Sequence, residues 1–218
     1  MTLRVAELFR SLQGEGPSAG TPAHFLRLQG CDVGCRWCDT RYTWESTGGH
    51  ECSIADAFTQ LRALGDAPLL VVTGGEPLAH PGIDRLLAAA VGQWPRVELE
   101  TSGSMPPTLQ HERLHPMWSP KLPSVTERWA DTWAHSTRFM SDPRTTVKLV
   151  VARGDDEDAL RLIREYALPK DRVMLMPEGL SETAVRERAL ELAPLCQREG
   201  LRLSPRLHVW LWGAKRGV

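Results

Sequence analysis

The chain has 218 residues, 42% of them apolar and 24% charged, which is enough to bury one sizeable core and excludes a disordered or fibrous sequence. Its 26 basic and 27 acidic residues nearly cancel, leaving no global field to draw it to nucleic acid or to a membrane surface. Met1 to Glu7 lack the apolar stretch of a signal peptide, and no apolar run approaches the ~18 residues of a membrane span, so a cytoplasmic protein is expected.

In chain order, Leu3 to Phe9 is rich in β-formers and predicts a first strand, followed by a turn-forming loop over Ser11 to Pro17. Ala23 to Leu28 predicts the second strand, and the run Cys31-Asp32-Val33-Gly34-Cys35-Arg36-Trp37-Cys38-Asp39-Thr40 follows it. Ser53-Ile54-Ala55-Asp56 reads as a capping box opening a helix to about Leu64, with Ile54, Ala57, Phe58 and Leu61 on one side. Leu69 to Thr73, apolar and bounded by Pro68 and Gly74-Gly75, predicts a strand buried on both faces. His80-Pro81 predicts a helix with proline at its first position, carrying Ile83, Leu86, Leu87 and Ala90 at helical spacing. Val97 to Thr101 is a further strand, ending in Ser102-Gly103.

From Met105 to about Asp142 prolines break the pattern, leaving a short strand near Met117-Trp118 and a helical turn around Trp129 and Trp133. Thr145 to Ala152 predicts a strand, and the acidic run Asp155 to Asp158 suits the N-terminus of a helix continuing to about Tyr166. Arg172 to Met176 is the next strand. Ser181 to Glu199 predicts a helix with Val185, Ala189, Leu192 and Cys196 on one stripe, closed by Gly200. His208 to Trp212 reads as a last extended segment. Strands alternating with helices predict an α/β protein on a largely parallel sheet. About four good helices are too few for a full eight-unit barrel, so an incomplete, TIM-like barrel is expected, forming one domain over residues 1–218.

In such a fold the site lies at the C-terminal ends of the strands. The unusual residues gather at those ends: the cysteine loop, Gly74-Gly75-Glu76-Pro77, Ser102, Ser119-Pro120-Lys121 and Met176-Pro177-Glu178. Three cysteines at C-x3-C-x2-C spacing place three thiolates at one centre, whereas iron–sulfur clusters usually take four cysteines and structural zinc four closed ligands. Three imply an open coordination position. Five cysteines in all, three of them clustered, fit metal ligation better than a disulfide framework, and Cys52 and Cys196 read as structural.

The C-x3-C-x-aromatic-C loop together with the Gly-Gly-Glu-Pro turn resembles the radical S-adenosylmethionine (SAM) enzymes. The resemblance implies that Cys31, Cys35 and Cys38 hold three irons of a 4Fe-4S cluster whose fourth iron binds SAM. Reductive cleavage of SAM then yields a 5′-deoxyadenosyl radical, so no protein residue is expected to be catalytic in its own right. It further implies that Gly74 and Gly75 approach the methionine amine and that Trp37 flanks the adenine. Asp39, Glu76, Ser102, Ser119, Pro120, Lys121, Met176, Pro177, Glu178 and Gly179 complete the implied SAM site.

A narrower resemblance rests on Leu12-Gln13-Gly14-Glu15-Gly16, Arg27, Cys38-Asp39-Thr40 and the ending Trp212-Gly213-Ala214-Lys215-Arg216-Gly217-Val218, which together look like the 7-carboxy-7-deazaguanine synthase family. It implies a lyase that converts 6-carboxy-5,6,7,8-tetrahydropterin to 7-carboxy-7-deazaguanine and ammonia, on the route to queuosine and other deazapurines. On this reading Leu12, Gln13, Gly14 and Glu15 grip the pterin, Arg27 faces its carboxylate, Thr40 is a Mg²⁺ ligand, and Thr73 and the Val218 carboxylate complete the pocket. A homodimer and an electron donor such as flavodoxin or ferredoxin are the implied partners. Two other readings stay open: an activase that installs a glycyl radical on a partner protein, and a non-catalytic zinc-binding module.

Overall fold

A computed structural model of the protein describes residues 2–213 and 215–218. The strands are β1 (Thr2–Leu12), β2 (Pro22–Leu28), β3 (His50–Ser53), β4 (Leu69–Gly74), β5 (Arg96–Thr101), β6 (Leu114–Trp118), β7 (Thr146–Val151), β8 (Val173–Pro177) and β9 (Arg202–Leu203). The helices are α1 (Ile54–Ala63), α2 (Ile83–Val91), α3 (Ser136–Ser141), α4 (Asp156–Glu165), α5 (Glu182–Glu199) and α6 (Leu207–Trp212). All nine strands join one sheet in the order β3-β1-β2-β4-β5-β6-β7-β8-β9. It is parallel from β2 through β9, and β1 pairs antiparallel with both β2 and β3. β3 and β9 end the sheet without meeting, so it is an open, partial barrel with few helices. No helix among the described residues is long and apolar enough to cross a membrane.

The period-2 alternation of each strand divides its side chains between two environments. Leu26 and Leu28, Leu70 and Val72, Val97 and Leu99, Val147, Leu149 and Val151, and Val173 and Leu175 enter the main core, together with the apolar residues of α1, α2, α4 and α5. The alternate positions face the concave side, where Ala23, Phe25, Leu69 and Val71 form a small second core with Phe9 against it. That inner face turns polar toward the strand ends, with Arg27, Thr73, Glu100 and Lys148 lining a cavity there.

Several expectations are met closely. Ser53 caps α1 by accepting from the Asp56 amide at 3.1 Å. Gly200 closes α5 in the left-handed conformation at φ 69°. Four differ. β1 continues through Leu12 into the stretch read as a loop, because antiparallel pairing with β2 extends to Leu12 opposite Pro22. α2 begins at Ile83 rather than at Pro81, since Pro77–Ala79 first makes a tight 3-10 turn and Gly82 stands at the cap. The proline-broken region holds the expected short strand, as β6, and the expected helical turn, as a 3-10 turn over Trp129–Trp133, but adds the unexpected α3, and it packs by aromatics. Trp118 lies 5.4 Å from Trp133 and stacks on Phe139 at 5.1 Å.

The fourth difference is the tail. His208 to Trp212 is the helix α6 and not a strand: its apolar run is short enough to suit either period, and no neighbouring strand pairs with it. As a helix it exposes Trp210, Leu211 and Trp212 while burying Val209.

Candidate active site

The register of the parallel pairs decides which loops meet. Leu28 of β2 stands opposite Gly74 of β4, so the cysteine loop and the glycine turn leave the sheet side by side. The turn then hooks onto the loop, with Gly75 donating its amide to the Leu28 carbonyl at 3.1 Å and Glu76 to the Gly30 carbonyl at 2.9 Å. A Cβ on Gly75 would meet the Gly30 oxygen at 2.0 Å and Cys31 Cβ at 2.8 Å, and one on Gly74, whose φ is +144°, would meet the Leu28 oxygen at 2.3 Å. Glycine is therefore demanded here by the chain's own backbone at the root of the cysteine loop.

One cleft of about 1280 Å³, mouth included, opens at these strand ends. Cys31, Cys35, Cys38, Trp37, Asp39, Thr40, Gly74, Gly75, Ser102, Ser119, Lys121, Met176 and Glu178 all line it, as do Leu12, Gln13, Gly14, Glu15, Arg27, Thr73 and Val218. Glu76, Pro120, Pro177 and Gly179 do not reach its wall. The Glu76 carboxylate is buried, accepting from the Leu78 amide (3.1 Å), Thr101 Oγ1 (2.5 Å), and the Ser102 amide (2.8 Å) and Oγ (2.5 Å), so it locks β4 to β5 beneath the site. Pro120 lies in a turn held by Thr132 Oγ1, which accepts from the Lys121 amide at 2.9 Å, and by Trp133, which donates to the Lys121 carbonyl at 2.8 Å. Gly179 gives its carbonyl to Arg206.

At the other end of the cleft lies a charged network. Glu15 pairs with Lys148, and Lys148 Nζ is 3.7 Å from Glu100. Glu100 accepts from Thr73 Oγ1 at 3.0 Å, and Gln13 Nε2 donates to Glu98 at 3.0 Å and Glu100 at 3.3 Å. Burial alone would raise the Glu15 carboxyl, but Lys148, Arg206 and His208 outweigh it and hold the group well below the usual carboxylate range. Burial would likewise lower Lys148, and Glu100 with Glu15 reverses that, keeping the ammonium charged. Arg206 reaches Asp39 at 2.7 Å and Glu15 at 3.4 Å, tying the cysteine loop to the Gln13–Glu15 segment. α6 seats on the same segment, with Leu207 donating to the Gly14 carbonyl at 2.8 Å and His208 so close that a Cβ on Gly14 would meet its Nδ1 at 2.0 Å.

Arg27 donates through Nε to Glu7 at 3.1 Å. Glu7 also accepts from Tyr42 Oη at 2.7 Å and from Arg216 at 2.8 Å, and the Arg216 guanidinium lies 3.7 Å from the centroid of the Tyr42 ring. The basic tail is thus docked beside Arg27 instead of frayed, and Val218 reaches the cleft. Ala214, within the terminal motif, lies outside the described residues.

A profile of the Radical SAM superfamily matches residues 26–178. A 7-carboxy-7-deazaguanine synthase of Pyrobaculum aerophilum is 38% identical over 99% of this chain and 97% of its own length. The chain belongs to the 7-carboxy-7-deazaguanine synthase family of radical SAM enzymes. A second such synthase, from Hyperthermus butylicus, is 35% identical over 95% of this chain and 92% of its own. The crystal structure of QueE from Escherichia coli superposes with a TM-score of 0.68 at 27% identity, covering 95% of each chain. SuiB of Streptococcus suis, solved bound to S-adenosylmethionine, shares the fold with a TM-score of 0.56 at 14% identity over 79% of this chain.

A radical SAM lyase needs a 4Fe-4S cluster and SAM, and the residues present fit both. All three thiols face the cleft, and Trp44 Nε1 donates to Cys38 Sγ at 3.3 Å. Among the described residues no three His, Cys, Asp or Glu side chains close on a single ion. Thiolates that each take a different iron line a wider space than the tetrahedral shell of one zinc ion. Burial pushes the Cys31 thiol up to about 11 and raises that of Cys35, so these two are protonated without metal and release protons when they bind a cluster.

Sequence reasoning missed Glu98, Glu100, Lys148, Arg206 and Trp44. One signal was available for three of them. Glu98 and Glu100 interrupt β5 and Lys148 interrupts β7, and charges in the middle of apolar parallel strands have to find partners when those strands are covered on both faces.

Proposed function

We propose that this protein converts 6-carboxy-5,6,7,8-tetrahydropterin to 7-carboxy-7-deazaguanine with release of ammonia, acting as one radical SAM domain over residues 1–218. The carrying observation is that the cysteine loop, the glycine turn, the Leu12–Glu15 segment and Arg27 all face a single cleft. When bound, SAM on the cluster supplies a 5′-deoxyadenosyl radical that takes hydrogen from the substrate and is regenerated, with the first electron coming from flavodoxin or ferredoxin.

The chain's own residues bind, orient and exclude water. Gly74, Gly75, Trp37, Asp39, Ser102, Ser119, Lys121, Met176 and Glu178 take the SAM side, with Glu76, Pro120, Pro177 and Gly179 shaping that wall from behind. The Nε of Arg27 is held by Glu7, which leaves the end of its guanidinium fork for the substrate carboxylate. Gln13 and Glu15, with the Leu12 and Gly14 backbone and Thr73, meet the pterin's hydrogen-bonding edge, and the Val218 carboxylate closes the pocket. Thr40 Oγ1 serves as a Mg²⁺ ligand, one protein oxygen beside substrate and water being typical of that ion. Loss of ammonia with ring contraction leaves no net oxidation, so SAM is used catalytically. The docked tail and the apolar face of Trp210, Leu211 and Trp212 are consistent with a homodimer.

The deciding experiment is anaerobic. Cluster-replete protein with SAM, reductant and Mg²⁺ is expected to turn the carboxytetrahydropterin into the deazaguanine without stoichiometric SAM consumption. A sample with full iron and sulfide content that makes no product would overturn the assignment. Zinc in place of iron would return the loop to a structural role.

A further inference from the structure

We propose that Trp44 sets the reduction potential of the cluster held by Cys31, Cys35 and Cys38, through an N–H···S hydrogen bond to the Cys38 sulfur. The indole Nε1 lies 3.3 Å from Cys38 Sγ, and the Trp44 carbonyl accepts from the Cys31 amide at 3.2 Å. One residue therefore touches two of the three ligand positions, by side chain and by backbone.

The indole is held in place from behind. Gln29, which is buried, donates its side-chain amide to the carbonyls of Tyr42 and Glu45 at 2.8 and 2.7 Å, one on each side of Thr43-Trp44. The Gly30 amide donates to the Thr43 carbonyl at 2.7 Å, and Thr43 Oγ1 to the Thr40 carbonyl at 2.8 Å. Gly48 leaves room for that glutamine, since a Cβ there would meet Gln29 Nε2 at 2.6 Å. The Arg41 guanidinium sits 5.5 Å from the Trp44 ring centroid. With the backbone on either side of it held and Arg41 against its ring, the indole, half-buried on the cleft wall, is placed to donate to the sulfur.

The sign follows from where the charge goes. One electron from a low-potential donor makes the cluster and its thiolates more negative, a donated hydrogen bond is stronger to the more negative acceptor, and hydrogen bonds to the sulfurs are among the levers that set cluster potential. The Trp44 N–H therefore favours the reduced form and makes that electron easier to deliver. A packing defect acts the other way: water admitted beside the cluster also stabilises the more highly charged reduced form, so loosening alone raises the potential.

The proposal rests on the three cysteines carrying the cluster, which iron and sulfide analysis of the unaltered protein checks independently. The test is potentiometric titration of the cluster, followed by electron paramagnetic resonance, in the parent and in Trp44→Phe, which keeps a ring and loses the N–H. At an applied potential equal to the parent midpoint, the reduced-to-oxidised ratio in the variant is expected to fall about threefold, given the modest net worth of one such hydrogen bond. An unchanged or raised midpoint in a variant with full iron content would overturn the proposal. Trp44→His, which retains a ring N–H, is expected to recover part of the shift. If neither variant binds a cluster, Trp44 builds the loop instead of tuning it, and the proposal fails.

Discussion

Glu76 shows how a motif residue acts without touching the ligand site. Its carboxylate accepts four hydrogen bonds from Leu78, Thr101 and Ser102 and is 2% exposed. Glu76→Gln keeps the shape but turns one acceptor into a donor facing other donors. The expected cost is about 1–3 kcal/mol, the penalty for leaving buried polar groups unsatisfied, together with weaker SAM binding because the Ser102 wall loosens. Urea unfolding of the two proteins measures it, and a change within about 0.5 kcal/mol would contradict the locking role. The position was legible in the sequence as part of Gly-Gly-Glu-Pro. Its orientation was not, since a strand-end carboxylate points into the cleft or under it according to partners that lie about 25 residues further along the chain.

At the scale of elements, the helices with strong local signals formed where expected, and those without did not. α1 and α5 carry serine caps, and α5 ends on a glycine, so the chain announces their limits locally. Gly200 adopts φ 69° with nothing within 4 Å of where a Cβ would sit. Gly200→Ala is therefore expected to cost about 1 kcal/mol from backbone strain alone, seen as a lower thermal midpoint with unchanged cluster content. A variant as stable as the parent would mean that the αL turn opens freely. α6 carries no such signals. Its identity as a helix comes from seating His208 against Gly14 and Arg206 between Glu15 and Asp39, contacts that span nearly the whole sequence.

For the molecule as a whole, the buried ionisable groups set the response to pH. His24, His80, His115 and His208 all sit below the ordinary 6.5, chiefly through burial, so the folded state resists their protonation and loses stability as pH falls below about 6.5. Against the pull of burial, Glu7 is held below the ordinary 4.5 by the Tyr42 hydroxyl together with Arg216 and Arg27, and Glu15 by Lys148 and Arg206. Their contribution is complete above about 4.5 and is lost as pH falls through their folded values. Lys148 is raised above its ordinary 10.5, so its share persists until the solution is more alkaline than that. Urea midpoints of the metal-free protein are expected to be level from neutral pH to about 9, to decline above that as the raised thiols and then Lys148 begin to lose their share, to decline below about pH 6.5 and to steepen below about 4.5. A flat profile through the histidine range would show that those rings are open to protons in the folded state.

The sequence by itself determined the fold class, the cysteine loop and the glycine turn, because each rests on local chemistry: period-2 runs for strands, thiols at fixed spacing, prolines and glycines at turns. Wall residues such as Gln13, Arg27, Thr73 and Val218 were reached only through the family resemblance, since nothing local marks them. Tertiary structure alone decided which of those residues face the cleft and which, like Glu76, support it. It also decided that Gly74 is glycine for the sake of the end of β2 and Gly75 for the root of the cysteine loop, that Glu98, Glu100 and Lys148 are partnered across strands, and that Trp44 meets Cys38. Apart from Trp44 and Cys38, six residues apart within one loop, these are contacts between residues brought together only by parallel register and by chain ends folding back, and a single sequence carries no record of distance between positions so far apart.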